Sequence, residues 1–133
     1  MTDNEVLFNF RLREAEETLA EAEKMLRQEF SPRSVVNRAY YAMFYGLLAL
    51  FLKAGKDIKT SKHSGVIAQF DREFVKTAGI DKRFSAMLHT AFDLRQEGDY
   101  KDLVQIPRDK AERCVAYATE FLSELKRYMS NAA

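Results

Sequence analysis

The sequence predicts an all-α fold, an up-and-down antiparallel bundle of four to five helices, on three observations. Apolar residues recur at spacings of three and four through long segments. Helix-start signals stand ahead of two of those segments, at Ser31-Pro32 and at Pro107. No strand-like alternation runs longer than a few residues. Short connections between successive long helices favour antiparallel neighbours. With 133 residues, the chain is read as one domain, residues 1–133, whose core buries roughly two-thirds of the unfolded surface.

The first helix spans about Asn4 to Gln28, with Phe8, Leu12, Ala15, Leu19, Ala22 and Leu26 on one face and Glu14, Glu17, Glu21 and Lys24 on the other. Ser31 as N-cap and Pro32 at the first helical position open the second, which ends near Ala54-Gly55. The third runs from about Lys62 to Lys76. A turn at Ala78-Gly79-Ile80 leads to the fourth, from about Lys82 to Glu97. Gly98 can take φ > 0, so it is expected to end that helix at its C′ position, with Asp99 to Ile106 as a connector. The last helix starts at Pro107 and gathers Ala111, Cys114, Val115, Ala118, Phe121, Leu122 and Leu125 on one face.

Composition excludes several classes. The chain is 47% hydrophobic and 31% charged with five Gly and two Pro, so it is neither disordered nor fibrous. A net charge of +1 argues against a general coat for nucleic acid or membrane, leaving any basic site local. Cys114 is the single cysteine. It excludes an internal disulfide and, on an apolar helix face, reads as a buried inert thiol. The N-terminal residues show no basic stretch followed by an apolar core, so no signal peptide is expected. The longest apolar run, Ala39 to Leu52, is shorter than the ~20 residues of a membrane span. A cytoplasmic protein without membrane contact is the expectation. The second helix is apolar nearly all round, so it is either central or covered by a partner chain. Tyr40, Tyr41, Phe44 and Tyr45 suit an interface, and a homodimer through them is expected.

Two segments could carry chemistry. Arg95, Asp99 and Tyr100 are expected to meet at a bend, where a guanidinium fork beside a phenol would suit phosphate. The plainer reading is an Arg95–Asp99 surface pair. Lys53, Lys56, Lys59 and Lys62 surround the Gly55–Ser61 loop ahead of His63 and could collect phosphate oxygens, though a solvated loop explains the individual lysines as well. His89 stands four residues before Asp93 and could pair with it. No cluster of His, Cys and carboxylates supplies three or four metal ligands. No hydrolase triad or glycine-rich phosphate loop is visible, so no metal and no cofactor is expected.

Asn37-Arg38-Ala39-Tyr40-Tyr41-Ala42-Met43-Phe44, Lys62-His63-Ser64-Gly65-Val66-Ile67, Phe74-Val75-Lys76 and Arg95-Gln96-Glu97-Gly98-Asp99-Tyr100 together resemble the HEPN superfamily, in particular its stand-alone prokaryotic members. The resemblance covers about Ser34 to Tyr128. Many HEPN proteins are metal-independent ribonucleases with an arginine followed, after four to six residues, by histidine. Arg95 matches the arginine, but Tyr100 stands where the shortest spacing would place the histidine. A phenol of pKa about 10 is a poor general base at neutral pH. In toxin–antitoxin members the HEPN protein pairs with a minimal nucleotidyltransferase that modifies a tyrosine next to the motif, and Tyr100 is the nearest candidate.

The resemblance therefore implies a nucleotide- or RNA-binding homodimer, the toxin-side component of a pair with a nucleotidyltransferase. Arg95, Asp99, Lys59, Lys62 and His63 would hold phosphate. One alternative is a metal-independent endoribonuclease using Arg95 and Tyr100 as catalytic residues. Another is a non-catalytic helical interaction module in which Arg95 is only structural.

Overall fold

The computed structural model describes residues 1–100 and 105–131, with Tyr100 described by its backbone alone. Helix α1 spans Asp3–Arg27; the Thr2 hydroxyl caps it by accepting the Glu5 N–H at 3.1 Å. Its end is a Schellman turn: the Phe30 N–H donates to Met25 C=O and the Glu29 N–H to Leu26 C=O. Glu29 takes the left-handed conformation there, φ 61°, where glycine is the usual residue.

Helix α2 spans Pro32–Ala54, capped by Ser31 Oγ, which accepts from the Ser34 N–H, and closed by Gly55 at φ 67°. It lies between α1, α4 (Lys82–Tyr100) and α5 (Arg108–Asn131). That position explains its all-round apolar surface within one chain. Val35, Val36, Ala39, Tyr40, Met43, Leu47, Leu50 and Phe51 are all buried. Each large apolar side chain buried this way contributes about 1.5–3 kcal/mol. By length and composition α2 could cross a bilayer, but two-thirds of its most apolar window is buried in the bundle, as in a core helix. Gly46 lets α5 approach α2: a Cβ there would stand 2.5 Å from Leu122 Cδ2.

Helix α3 spans His63–Phe70 and continues directly into a π-helical turn, Asp71–Lys76. Phe70 and Phe74 point into the core against Phe121 and Phe51. Gly79, at φ 80°, turns the chain into α4. Cys114 is fully buried, and burial pushes its thiol up to about 12, so it stays protonated and inert.

Two expectations are corrected. Gly98 does not end the fourth helix, since α4 runs through it to Tyr100. Its missing Cβ serves packing: a methyl group there would lie 3.2 Å from both Arg33 Cγ and Ile106 Cδ1. His89 turns away from Asp93, its Nε2 lying 2.7 Å from Asp71 Oδ2, while Asp71 Oδ1 accepts from the Ser85 hydroxyl at 2.6 Å. The π-turn that begins at Asp71 meets α4 at this cluster, a long-range contact that neither helix's own spacing encodes.

Candidate functional site

Arg95 enters the site from α4 and meets two tyrosines of α2. Its guanidinium carbon lies 5.5 Å from the Tyr40 ring centroid and 5.2 Å from that of Tyr41. Its Nη2 donates to the Tyr41 hydroxyl at 3.2 Å. Cation–π contact and a hydrogen bond thus hold the fork in place, with the Arg95 side chain 19% exposed. Arg95 and Asp99 are i,i+4 neighbours on one continuous helix and not partners across a bend. Nε lies 3.0 Å from Asp99 Oδ2, yet the carboxylate sits off the N–H direction and Nε has no hydrogen-bond partner among the described residues. Asp99 thus compensates the charge of Arg95 without taking the Nε–H in line.

Across the same two rings stands His63, at the start of α3. Its ring stacks on Phe44 with centroids 4.0 Å apart and planes 14° from parallel, and lies 5.8 Å from Tyr40 and 5.7 Å from Tyr41. His63 Nδ1 and the Tyr40 hydroxyl are 2.9 Å apart. The network assigns the tautomer. Tyr40 is wholly buried, and burial, opposed by Arg95, holds its hydroxyl ionisation well above the usual range. Among the described residues His63 is the only hydrogen-bond partner of that hydroxyl, so its proton points at Nδ1. Nδ1 therefore accepts, and the neutral ring carries its hydrogen on Nε2. Burial first, and the Arg95 charge second, lower the His63 pKa and keep the ring neutral.

Arg38, one helical turn before Tyr41 on α2, completes the group. Its guanidinium carbon is 5.9 Å from the Tyr41 centroid. Its Nε lies 3.4 Å from Glu21 Oε1 but, like that of Arg95, has no hydrogen-bond partner among the described residues.

The expected residues divide. Arg95, Asp99 and His63 lie together with Tyr40, Tyr41 and Phe44. Lys62 adjoins His63 and is exposed, as is Lys59. Gln69 fixes the loop from beneath: fully buried, it donates to Asp57 C=O at 2.7 Å and accepts the Lys59 N–H at 3.2 Å. Lys53 and Lys56 face elsewhere, over Phe8 and toward Glu73. Tyr40 and Phe44 are covered within one chain, and Tyr41 and Tyr45 are half-buried. The side chain of Tyr100 lies outside the described residues. Arg38 was missed as a site residue, although its i,i+3 spacing from Tyr41 on one helix was a usable signal. Among the described residues no group of three or more His, Cys, Asp or Glu could hold a metal ion.

The pattern of the HEPN domain matches residues 8–128. The chain belongs to the HEPN family. A protein of Thermotoga maritima named UPF0332 protein is 36% identical over 131 residues, covering 98% of this chain and 97% of that one. Two proteins of Methanocaldococcus jannaschii, each bearing the name putative toxin, are 35% identical over 118 residues and 32% over 114. These cover 89% and 85% of this chain, and 78% and 81% of the relatives. This HEPN domain has no histidine after His89 in its sequence; the histidine that shares an aromatic wall with Arg95 is His63, from another helix.

Proposed function

We propose that this HEPN domain is the toxin-side protein of a toxin–antitoxin pair, binding RNA or a nucleotide through phosphate contacts at Arg95. The names of the Methanocaldococcus relatives support the toxin-like role. The observation that carries the binding reading is the Arg95 fork, held by Tyr41 yet short of an in-line acceptor at Nε, beside a neutral His63. A phosphate oxygen that displaces the Asp99 carboxylate would supply that acceptor and meet the Nε2–H of His63, with Lys62, the chain neighbour of His63, adding positive charge, while Lys59 lies with Lys56 toward Glu73.

The tautomer favours binding over base catalysis. Nδ1 is engaged by Tyr40 and Nε2 carries its hydrogen, so the neutral ring offers a donor and no free lone pair to take a ribose proton. The same reading includes a homodimer, cytoplasmic location and a nucleotidyltransferase partner. Of Tyr40, Tyr41, Phe44 and Tyr45, the half-buried Tyr41 and Tyr45 are left to contact a second copy.

Fluorescence anisotropy with a 5′-phosphorylated hexaadenylate tests the core of this proposal. Wild type should bind, and Arg95→Ala should lose about tenfold or more, the size of one charge-assisted hydrogen bond. Equal binding by both proteins would refute it. Cleavage of the labelled RNA without metal, abolished by Tyr100→Phe, would favour the endoribonuclease instead.

A further inference from the structure

Arg38 and Arg95 share one feature: each has an Nε beside a carboxylate that does not take its N–H as a hydrogen bond. Arg38 and Arg95 come from different helices, yet both guanidinium groups gather within 6 Å of one ring, Tyr41. Each has one carboxylate nearby, Glu21 at 3.4 Å and Asp99 at 3.0 Å, and in neither pair does the carboxylate take the Nε–H in line. Glu21 is 57% exposed and Asp99 30%. The Arg38–Glu21 pair, long and largely open to solvent, is weak and screened, so an incoming anion displaces Glu21 more readily than Asp99, whose pair with Arg95 is shorter and less exposed. Two cations of one sign around a single aromatic ring repel each other. Glu21 and Asp99 offset part of that repulsion, and a phosphate at each guanidinium would offset more of it.

We propose that Arg38 is a second phosphate-binding residue, so that the site takes a nucleotide ligand carrying two phosphate groups joined in one chain, with Arg95 on one and Arg38 on the other. Tyr41 lies between them as the shared wall. The ligand class is thereby narrowed from any phosphate to a nucleoside diphosphate or a stretch of RNA backbone, which share that chemistry. This rests on the binding reading above, and its test separates the two.

The experiment is titration of the full chain with AMP, ADP and 5′-phosphorylated hexaadenylate over a range of salt concentrations, for wild type, Arg38→Ala, Arg38→Gln and Arg95→Ala. The Gln variant keeps most of the packing of Arg38 on α2. Wild type should prefer ADP and the hexanucleotide to AMP. Both Arg38 variants should lower that preference about tenfold and reduce the salt slope of hexanucleotide binding by about 0.7, one phosphate contact on a single strand. A loss confined to ADP identifies the nucleoside diphosphate, and a loss confined to the hexanucleotide identifies RNA; either supports a two-phosphate site. If Arg38→Gln weakens AMP and the longer ligands by the same factor, or weakens none, Arg38 is not a second phosphate contact, whatever Arg95 does. If wild type binds none of the three, both this inference and the binding reading fail. If only Arg95→Ala loses binding, the binding reading stands and this inference falls.

Discussion

Replacing Tyr40 by Phe and His63 by Ala, singly and together, should give sharply unequal losses, because one group is buried and the other is not. Tyr40→Phe removes the hydroxyl and leaves His63 Nδ1 without its donor. The ring of His63 is part-exposed, so water can replace the bond, and the loss should be near the net worth of a neutral hydrogen bond, about 0.5–1.5 kcal/mol. His63→Ala instead strands the Tyr40 hydroxyl, whose side chain is 0% exposed and has no other partner among the described residues. That costs the desolvation penalty of an unsatisfied buried group, about 1–3 kcal/mol, plus the stacking on Phe44, roughly 0.5–1.5 kcal/mol for an aromatic pair. The double variant has no stranded hydroxyl, so it should be more stable than the two single losses predict when added, by about 1–2 kcal/mol. Thermal denaturation read by circular dichroism measures all four proteins, and 1 kcal/mol corresponds to about 3–6 °C in the midpoint for a chain of this size. Nitrogen-15 NMR of His63 in wild type should show the Nε2–H tautomer. Additive losses, or an Nδ1–H tautomer, would refute the assignment that makes His63 a donor.

Three further predictions test the surrounding account. The His63 pKa is lowered in the folded state. The stability of neutral His63 is therefore present above its unfolded value of about 6.5 and lost as pH falls from there through the lower folded value. His63→Gln should flatten the stability–pH profile in that window, and an unchanged profile would contradict the cause given. Glu29→Gly should stabilise the domain by about 1 kcal/mol in thermal unfolding, since φ 61° strains a residue with a Cβ; a loss of stability would contradict the Schellman turn. Gly46→Ala should destabilise by about 1 kcal/mol, because the crowding on buried Leu122 outweighs the gain in helix propensity; a net gain would mean α5 does not pack so closely on α2.

What could be read in the sequence follows the range over which each determinant acts. Helices α1, α2 and α5 were legible because spacing, Ser31-Pro32 and Pro107 are local signals. The end of α1 carries no glycine, since Glu29 takes that conformation itself. Gly98 misled because glycine serves two purposes, backbone freedom and small size, and here close packing against Arg33 and Ile106 decides. The π-turn at Asp71–Lys76 has no residue pattern of its own. In the site, Arg95 and His63 were each visible as chemistry, but 32 positions apart, and only the crossing of α2 with α3 and α4 places both on Tyr40 and Tyr41. The apolar girth of α2, which suggests a partner chain when read from sequence, is accounted for by the burial of that helix between α1, α4 and α5.

Binding of 5′-phosphorylated hexaadenylate to wild type, Arg95→Ala and Arg95→Lys, with the thermal midpoint recorded for each, tests the central claim most directly. Arg95 is part-buried against Tyr40 and Tyr41, so Arg95→Ala should lower stability modestly, by about 1 kcal/mol, while affinity falls about tenfold or more. Arg95→Lys should also weaken binding, because an ammonium cannot offer the planar fork. Unaltered affinity in both variants, with the stability loss alone remaining, would mean that Arg95 only braces α4 against α2.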